Sequence, residues 1–376
     1  YPRTSCEFRY LKLNSKNDYV SVQKSNEIIF RHTTSFPTQI HIALTDDQSS
    51  IRITWVSGSS LKPFVRYGKS FINLNMMESG GSSTYTEDDM CEPPATTFGY
   101  IAPGFIHTVV IKNLEKDTIY YYKCANSKTE SATFSFISPK TSGITERNPV
   151  FLDVFGDLDI TEGFGSYITM LRIGNELTQK VPLDAVLLVG DVSYAMGIAY
   201  TWEEFGKMIQ KVASTVPFMM SIGNHEHDYI NGSEKDPSND EPNFRPNPET
   251  YRSDSGGECS IPMLYRYQMP GNGNRLFWYS YNLGMAHIIS LSSEHNFVKG
   301  SNQYRWLRND LKSISRDATP IVIVLIHRSL YTSAVDSDLD PVSNLIRTAL
   351  EPLLIYYQVD FIITGHYHFY ERTCPL

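Results

Sequence analysis

The sequence predicts an all-β sandwich followed by an α/β domain, and two patterns carry that expectation. Residues 37–140 hold short apolar runs separated by Gly, Pro, Ser and Asn, the spacing of sandwich strands. From residue 148 onward, strand-length apolar runs alternate with stretches of helical periodicity, as in a sheet flanked by helices. A third observation concerns the strand ends of the second unit. Five of its apolar runs stop at residues that can bind metal.

In the first unit the expected strands are 40–44, 51–56, 64–67, 108–111, 119–125 and 133–137, with Trp55 as a core anchor. Residues 76–104 are polar and rich in Gly and Pro, so they are expected to form a long loop. Residues 1–36 hold one or two edge strands and read as a partial N-terminal β segment. Residues 140–148 form the linker.

In the second unit the runs 150–155, 185–189, 218–222, 321–326 and 359–364 are bounded by Gly or Pro and read as strands buried on both faces. Helical periodicity covers 166–180, 201–213, 304–314 and 342–357. Pro217 and Pro320 stand just ahead of strands, where a fixed φ does no harm. A hairpin is expected from 277–282 and 285–290 around Leu283-Gly284. Residues 228–262 are polar, with Pro237, Pro242, Pro246 and Pro248, and are too long for a passive connection. They predict a lid or a binding surface.

The metal-capable blocks are Gly156-Asp157, Gly190-Asp191 with Tyr194, Gly223-Asn224-His225-Glu226, His327, and Gly365-His366-Tyr367-His368. Gly-Asp dipeptides alone are common turns, Gly-Asn-His-Glu is more specific and Gly-His-x-His after an apolar strand more so; the signal is all five in this order. Ligands at the carboxyl ends of such strands converge. The four glycines are expected to turn the chain sharply there. The set suffices for two ions sharing a carboxylate.

Composition narrows the partners. The chain has 376 residues, is 41% apolar and carries a net charge of −8, a balance that excludes a nucleic-acid-binding surface. No run of about eighteen apolar residues suits a membrane helix. Cys6, Cys91, Cys124, Cys259 and Cys374 lack the spacing of a zinc knuckle or a redox dithiol. Asn231-Gly232-Ser233 is a glycosylation sequon. The start at Tyr1 without Met, and the odd cysteine close to the end, read as a processed piece lacking its natural C-terminus.

The order and local spacing of the five blocks resemble the calcineurin-like metallophosphoesterases, and Tyr194 narrows the resemblance to the purple acid phosphatases. Residues 84–91, 103–108, 255–259 and 370–375 resemble the plant-type nucleotide pyrophosphatase/phosphodiesterase-like branch. The resemblance implies a fibronectin type III-like sandwich with a corner at Leu114 and Tyr120, then a metallophosphoesterase ββ sandwich flanked by helices. It implies Fe³⁺ held by Asp157, Asp191, Tyr194 and His368. A second ion, Zn²⁺, Mn²⁺ or Fe²⁺, would sit on Asp191, Asn224, His327 and His366. Hard carboxylate and phenolate oxygens suit the first, and a mixed Asn/His set suits the second. The implied activity is acid phosphatase, with hydroxide on the metals as nucleophile and His225 assisting the leaving group. A nucleotide pyrophosphatase/phosphodiesterase, or a weakly catalytic binding protein, is the alternative.

Two departures bear on the substrate. Asp159 stands where the family has Gly, and a positive φ there suits Asp better than most residues. Asp336 and Ser337 stand where related phosphatases carry phosphate-holding histidines, so Arg328 or His295 is expected to substitute. The substrate is expected to be a phosphorylated small molecule or nucleotide. The compartment is expected to be extracellular, vacuolar or lysosomal, and the chain is compatible with a homodimer.

Overall fold

The computed structural model describes residues 7–28, 33–143, 149–160, 165–178, 183–229, 235–241, 244–334 and 341–374. The sequon, Cys6, Asp336 and Ser337 lie outside them.

Strands β1 (Arg9–Leu13) and β2 (Tyr19–Lys24), where one or two edge strands were expected, form an exposed antiparallel hairpin. The sandwich follows. One sheet holds β3 (Thr38–Leu44), β4 (Ile51–Ser57), β7 (Gly81–Ser83) and β8 (Phe105–Ile111). The other holds β5 (Phe64–Gly68), β6 (Met76–Ser79), β9 (Ile119–Ala125) and β10 (Phe134–Ile137). Inward residues of both sheets, Ile42, Ile53, Trp55, Val65, Val109, Tyr122 and Phe136, make its core. The Glu115 N–H donates to the Tyr120 hydroxyl at 3.0 Å, closing the expected corner. Residues 76–104 are not one long loop. Within them β6 and β7 pair at opposite sheet edges and Glu87–Asp89 forms a 3₁₀ turn; their solvent-facing residues show no apolar alternation to read.

The second domain packs two sheets between helices. Strands β11 (Leu152–Phe155), β12 (Ala185–Val189) and β13 (Phe218–Ser221) run parallel. Strands β14 (Tyr279–Leu283) and β15 (Ala286–Leu291) form a hairpin whose turn is Gly284-Met285, one residue later than expected. Parallel to β15 lie β16 (Ile321–Ile326) and then β17 (Phe361–Ile363). Helix α1 (Gly165–Glu176) follows β11, and α2 (Ala199–Ala213) follows β12. α2 buries Trp202, Phe205, Ile209 and Val212, one face at helical spacing. The short α3 (Ile261–Arg266) went unpredicted; six residues buried on nearly every side show no period. α4 (Asn302–Ser313) opens on Ser301, whose side chain accepts the Tyr304 N–H. α5 (Pro341–Tyr356) leads to β17.

The two domains are tied by buried chemistry. Arg266 of α3 bonds Glu203 of α2 at 2.6 Å, Gln39 of β3 at 3.0 Å and the Tyr85 hydroxyl at 3.1 Å. A disulfide joins Cys91 to Cys259, a pairing that spacing did not reveal. No helix of the described residues is long and apolar enough to cross a membrane.

Candidate metal centre

Parallel register brings the carboxyl ends of β11, β12 and β13 to one edge, and the ladder continues past them. Asp157 N–H donates to the Gly190 carbonyl at 3.1 Å, and Leu158 N–H to the Asp191 carbonyl at 3.2 Å. Gly365 N–H donates to the His327 carbonyl at 2.9 Å, so the second sheet delivers its residues to the same edge. The strained backbone belongs to the donors themselves, with φ of 58° at Asp157, 49° at Asp191, 50° at Tyr194 and 71° at His366. Of the four glycines, only Gly190 has a positive φ. Gly223 and Gly365 serve close approach instead: a Cβ on Gly223 would lie 2.2 Å from Asp191 Oδ1, and one on Gly365 2.8 Å from Asp157 Oδ2. Asp159 does take a positive φ, 63°.

All seven expected donors reach one cluster, arranged about two points. At the first, the Tyr194 hydroxyl lies 3.1 Å from Asp157 Oδ1, 3.3 Å from Asp191 Oδ2 and 2.9 Å from His368 Nε2. At the second, His327 Nε2 lies 3.1 Å from Asp191 Oδ2 and 3.1 Å from Asn224 Oδ1. Asp191, His327 and His366 each place a donor atom within 4.8 Å of the others. Asp191 Oδ2 is common to both points. Its other oxygen accepts the His225 N–H at 2.9 Å, and Asp157 Oδ2 accepts the His366 N–H at 2.9 Å.

The donor set fits cations. His327 Nδ1 is 2.8 Å from the Val189 carbonyl, which can only accept, so Nδ1 carries a proton and Nε2 is the atom turned to the site. The Asn224 amide donates to Asp254 at 3.0 Å, which aims its oxygen at the same spot. Asp191 Oδ2 and Asn224 Oδ1 thus both face His327 Nε2 at 3.1 Å, an arrangement that needs a proton on that nitrogen or a cation in its place. Burial opposes protonation of His327, yet Asp191 and Asp157 overcome it and hold the imidazole up at about 10. At the other point one hydroxyl proton serves two carboxylates, and burial with Asp191 and Asp157 pushes Tyr194 well above the phenol range. Burial, then His327, pulls His366 down to about 3, leaving it neutral and free to donate its lone pair.

Two groups that hold the donors were missed in the sequence. Asp254 orients Asn224. Glu226, fully buried, accepts the N–H groups of Asp191, Val192 and Gly223 at 2.8–3.0 Å, tying the ends of β12 and β13 together. Its place as the fourth residue of Gly223–Glu226 was the available signal. Burial, then Asp191, raises its carboxyl to about 8.

His225 lies tilted beside Tyr194, with ring centroids 4.3 Å apart and a buried Nδ1 that has no hydrogen-bond partner among the described residues. Among the described residues, Arg328 and His295 make no hydrogen bond to the seven donors; their contacts lie elsewhere. Arg328 is buried, paired with Glu294 at 2.8 Å and lying over the Tyr251 ring; a guanidinium already neutralised there is not offered to phosphate. His295 is buried against Phe277 and bonded to Ser292.

The comparisons with known proteins agree with this geometry. Residues 37–138 match the purple acid phosphatase N-terminal domain and residues 152–370 the calcineurin-like phosphoesterase family. "Probable purple acid phosphatase 20" of Arabidopsis thaliana is 32% identical over 90% of this chain and 69% of its own length. The chain belongs to the purple acid phosphatases. A purple acid phosphatase from yellow lupin (Lupinus luteus) seeds superposes with a TM-score of 0.85 at 30% identity, covering 100% of this chain and 65% of the lupin chain. "Probable inactive purple acid phosphatase 9" of A. thaliana is 33% identical over 94% of this chain, which spans 56% of that relative. The chain thus spans little more than half of some family members it matches. These relatives are named as purple acid phosphatases, and none of them supports the expected placement nearest nucleotide pyrophosphatases.

Proposed function

We propose that this purple acid phosphatase chain is the catalytic part of a dinuclear phosphoesterase, most simply an acid phosphatase acting on phosphorylated small molecules. The observation that carries this is Asp191 Oδ2, shared between two points that are each crowded by acceptors. Asp157, Asp191, Tyr194 and His368 would hold Fe³⁺; Asp191, Asn224, His327 and His366 would hold Zn²⁺, Mn²⁺ or Fe²⁺. Ions there would supply Lewis acidity, neutralising phosphate charge and activating water. His225, set beside Tyr194 with a nitrogen unpartnered, would give its proton to the departing oxygen. Glu226 and Asp254 keep the donors aimed.

Some relatives are named inactive, but all seven donor positions are filled here, and that supports turnover. Arg328, neutralised by Glu294, favours a second reading in which small monoesters are held weakly and nucleotide anhydrides or activated diesters are also cleaved. The disulfide supports an oxidising compartment, outside the cytosol. The test is metal analysis of the purified protein beside rates on p-nitrophenyl phosphate, bis(p-nitrophenyl) phosphate and a nucleoside triphosphate. Metal-dependent turnover that vanishes in Asp191→Asn is expected; a metal-replete wild type that cleaves none of the three overturns the reading.

A further inference from the structure

A second histidine cluster lies apart from the seven donors. His227 follows the 3₁₀ turn Asn224–Glu226, His295 lies beyond the end of β15, and Asp236 comes from the proline-rich loop between them. One donor atom from each lies within 4.8 Å of the other two. His227 is 6% exposed, His295 3%, and the Asp236 side chain 8%. Among the described residues, His227 Nδ1 and His295 Nε2 are buried with no hydrogen-bond partner. Two orphaned imidazole nitrogens beside a carboxylate are an unusual thing to bury.

We propose that His227, Asp236 and His295 form a further divalent-cation site of zinc type, which pins the proline-rich loop to the catalytic framework. The preference for zinc follows from two imidazoles and one carboxylate, a borderline set that leaves one open position on a tetrahedral ion. The orientation is already right for ligation. Ser292 Oγ engages His295 Nδ1 at 2.8 Å, so Nε2 faces Asp236, the arrangement in which a ligating imidazole has its far nitrogen held. Asp236 Oδ1 accepts the Ser238 N–H at 2.8 Å, which fixes the carboxylate. The gap from Asp236 Oδ2 to His295 Nε2 is 3.6 Å, beyond a good hydrogen bond. Bonds of about 2.0–2.2 Å set tetrahedral donors roughly 3.4 Å apart, so a closure of about an ångström completes the site.

The surroundings agree. Burial, then His295, holds His227 down to about 4, so its ring is neutral and its lone pair available. Glu294 and Arg328, the other charges felt by His227, neutralise each other. Tyr229 walls His227, and Phe277 and Trp278 wall His295.

The test counts metals on the whole chain after exposure to iron and zinc and dialysis against a weak chelator. Wild type is expected to keep about three ions rather than two. Asp236→Asn and His227→Gln should each lose one zinc while keeping iron. Asp191→Asn should lose the ions of the catalytic centre but keep the one zinc, and Zn²⁺ should raise its Tm, an effect abolished in Asp191→Asn/Asp236→Asn. If the dinuclear reading alone is wrong, the zinc that depends on Asp236 remains. Should Asp236→Asn and His227→Gln fail to fold, Asp191→Asn decides by itself: no zinc retained by that variant, and no rise of its Tm with Zn²⁺, overturns the proposal. Equal zinc in wild type and folded Asp236→Asn overturns it too, and leaves a hydrogen-bonded His–Asp–His trio.

Discussion

The two halves of the metal centre are built differently. The half around His327 is sealed: that side chain is 0% exposed, held by the Val189 carbonyl, with Asn224 braced by Asp254. The half around Tyr194 opens to solvent, and His368 is 64% exposed, its ring without a backbone hydrogen bond among the described residues. Burial fixes donors without waiting for an ion; exposure leaves them to be ordered by it. The sealed half therefore belongs to the fold, and the open half to the ligand.

The largest effect should come from the residue both halves share. Asp191→Asn weakens both points, and kcat should fall by more than about 10²-fold, past the 10–100-fold typical of groups that only support metal ligands. Elemental analysis should show both ions depleted. Loss of one ion alone would mean that the halves do not meet at Asp191.

The next comparison sets His327→Ala against His368→Ala. Both should strip an ion, but only the first removes a buried ring and its hydrogen bond. We expect His327→Ala to cost about 2–4 kcal/mol of stability in the metal-free protein, and His368→Ala less than about 0.5 kcal/mol. Urea unfolding under chelation measures both. Equal losses would erase the distinction.

This asymmetry also marks what was legible in the sequence. Strands β11, β12, β13, β16 and β17 could be read because each is a compact apolar run stopped by Gly or a polar residue, and the donors follow at once. What braces the donors could not be read that way. Asp254 reaches Asn224 across thirty residues of chain, and Cys91 reaches Cys259 across 168; neither leaves a local pattern. The glycines were found but their work was misjudged, because a crowded neighbour such as Asp191 Oδ1 against Gly223 exists only once two strand ends meet. Arg328 and His295 carried plausible chemistry in the sequence, yet burial commits them to Glu294 and Ser292.

That crowding gives a third test. Gly223→Ala sets a methyl group against Asp191 and must shift one of them, at roughly 1–3 kcal/mol for overpacking. On the open side, Tyr194→Phe removes only a hydroxyl, and its thermal stability should stay within about 0.5 kcal/mol of wild type. The visible absorption of a phenolate on Fe³⁺ should vanish with it. A preserved band would take Tyr194 out of the ligand set.

The last test concerns the segment that buttresses the sealed half. Ser260 donates to the Glu226 carbonyl at 2.9 Å, and the neighbouring Glu258 is buried, accepting the Trp202 indole N–H. Burial is the main reason the Glu258 carboxyl rises to about 8, with Asp228 and Glu226 adding to it against the Trp202 bond. A folded pKa above the unfolded one, 4.5, means that the folded chain binds the extra proton between those values. Its contribution to stability is therefore complete below about pH 4.5 and is lost as pH rises through about 8. Glu258→Gln keeps an acceptor for Trp202 and removes the titration. Under chelation, wild type should lose up to about 1 kcal/mol per pH unit across that window relative to the variant. Parallel pH profiles for the two would show that Glu258 is ionised in the folded protein and that the buttress tolerates its charge.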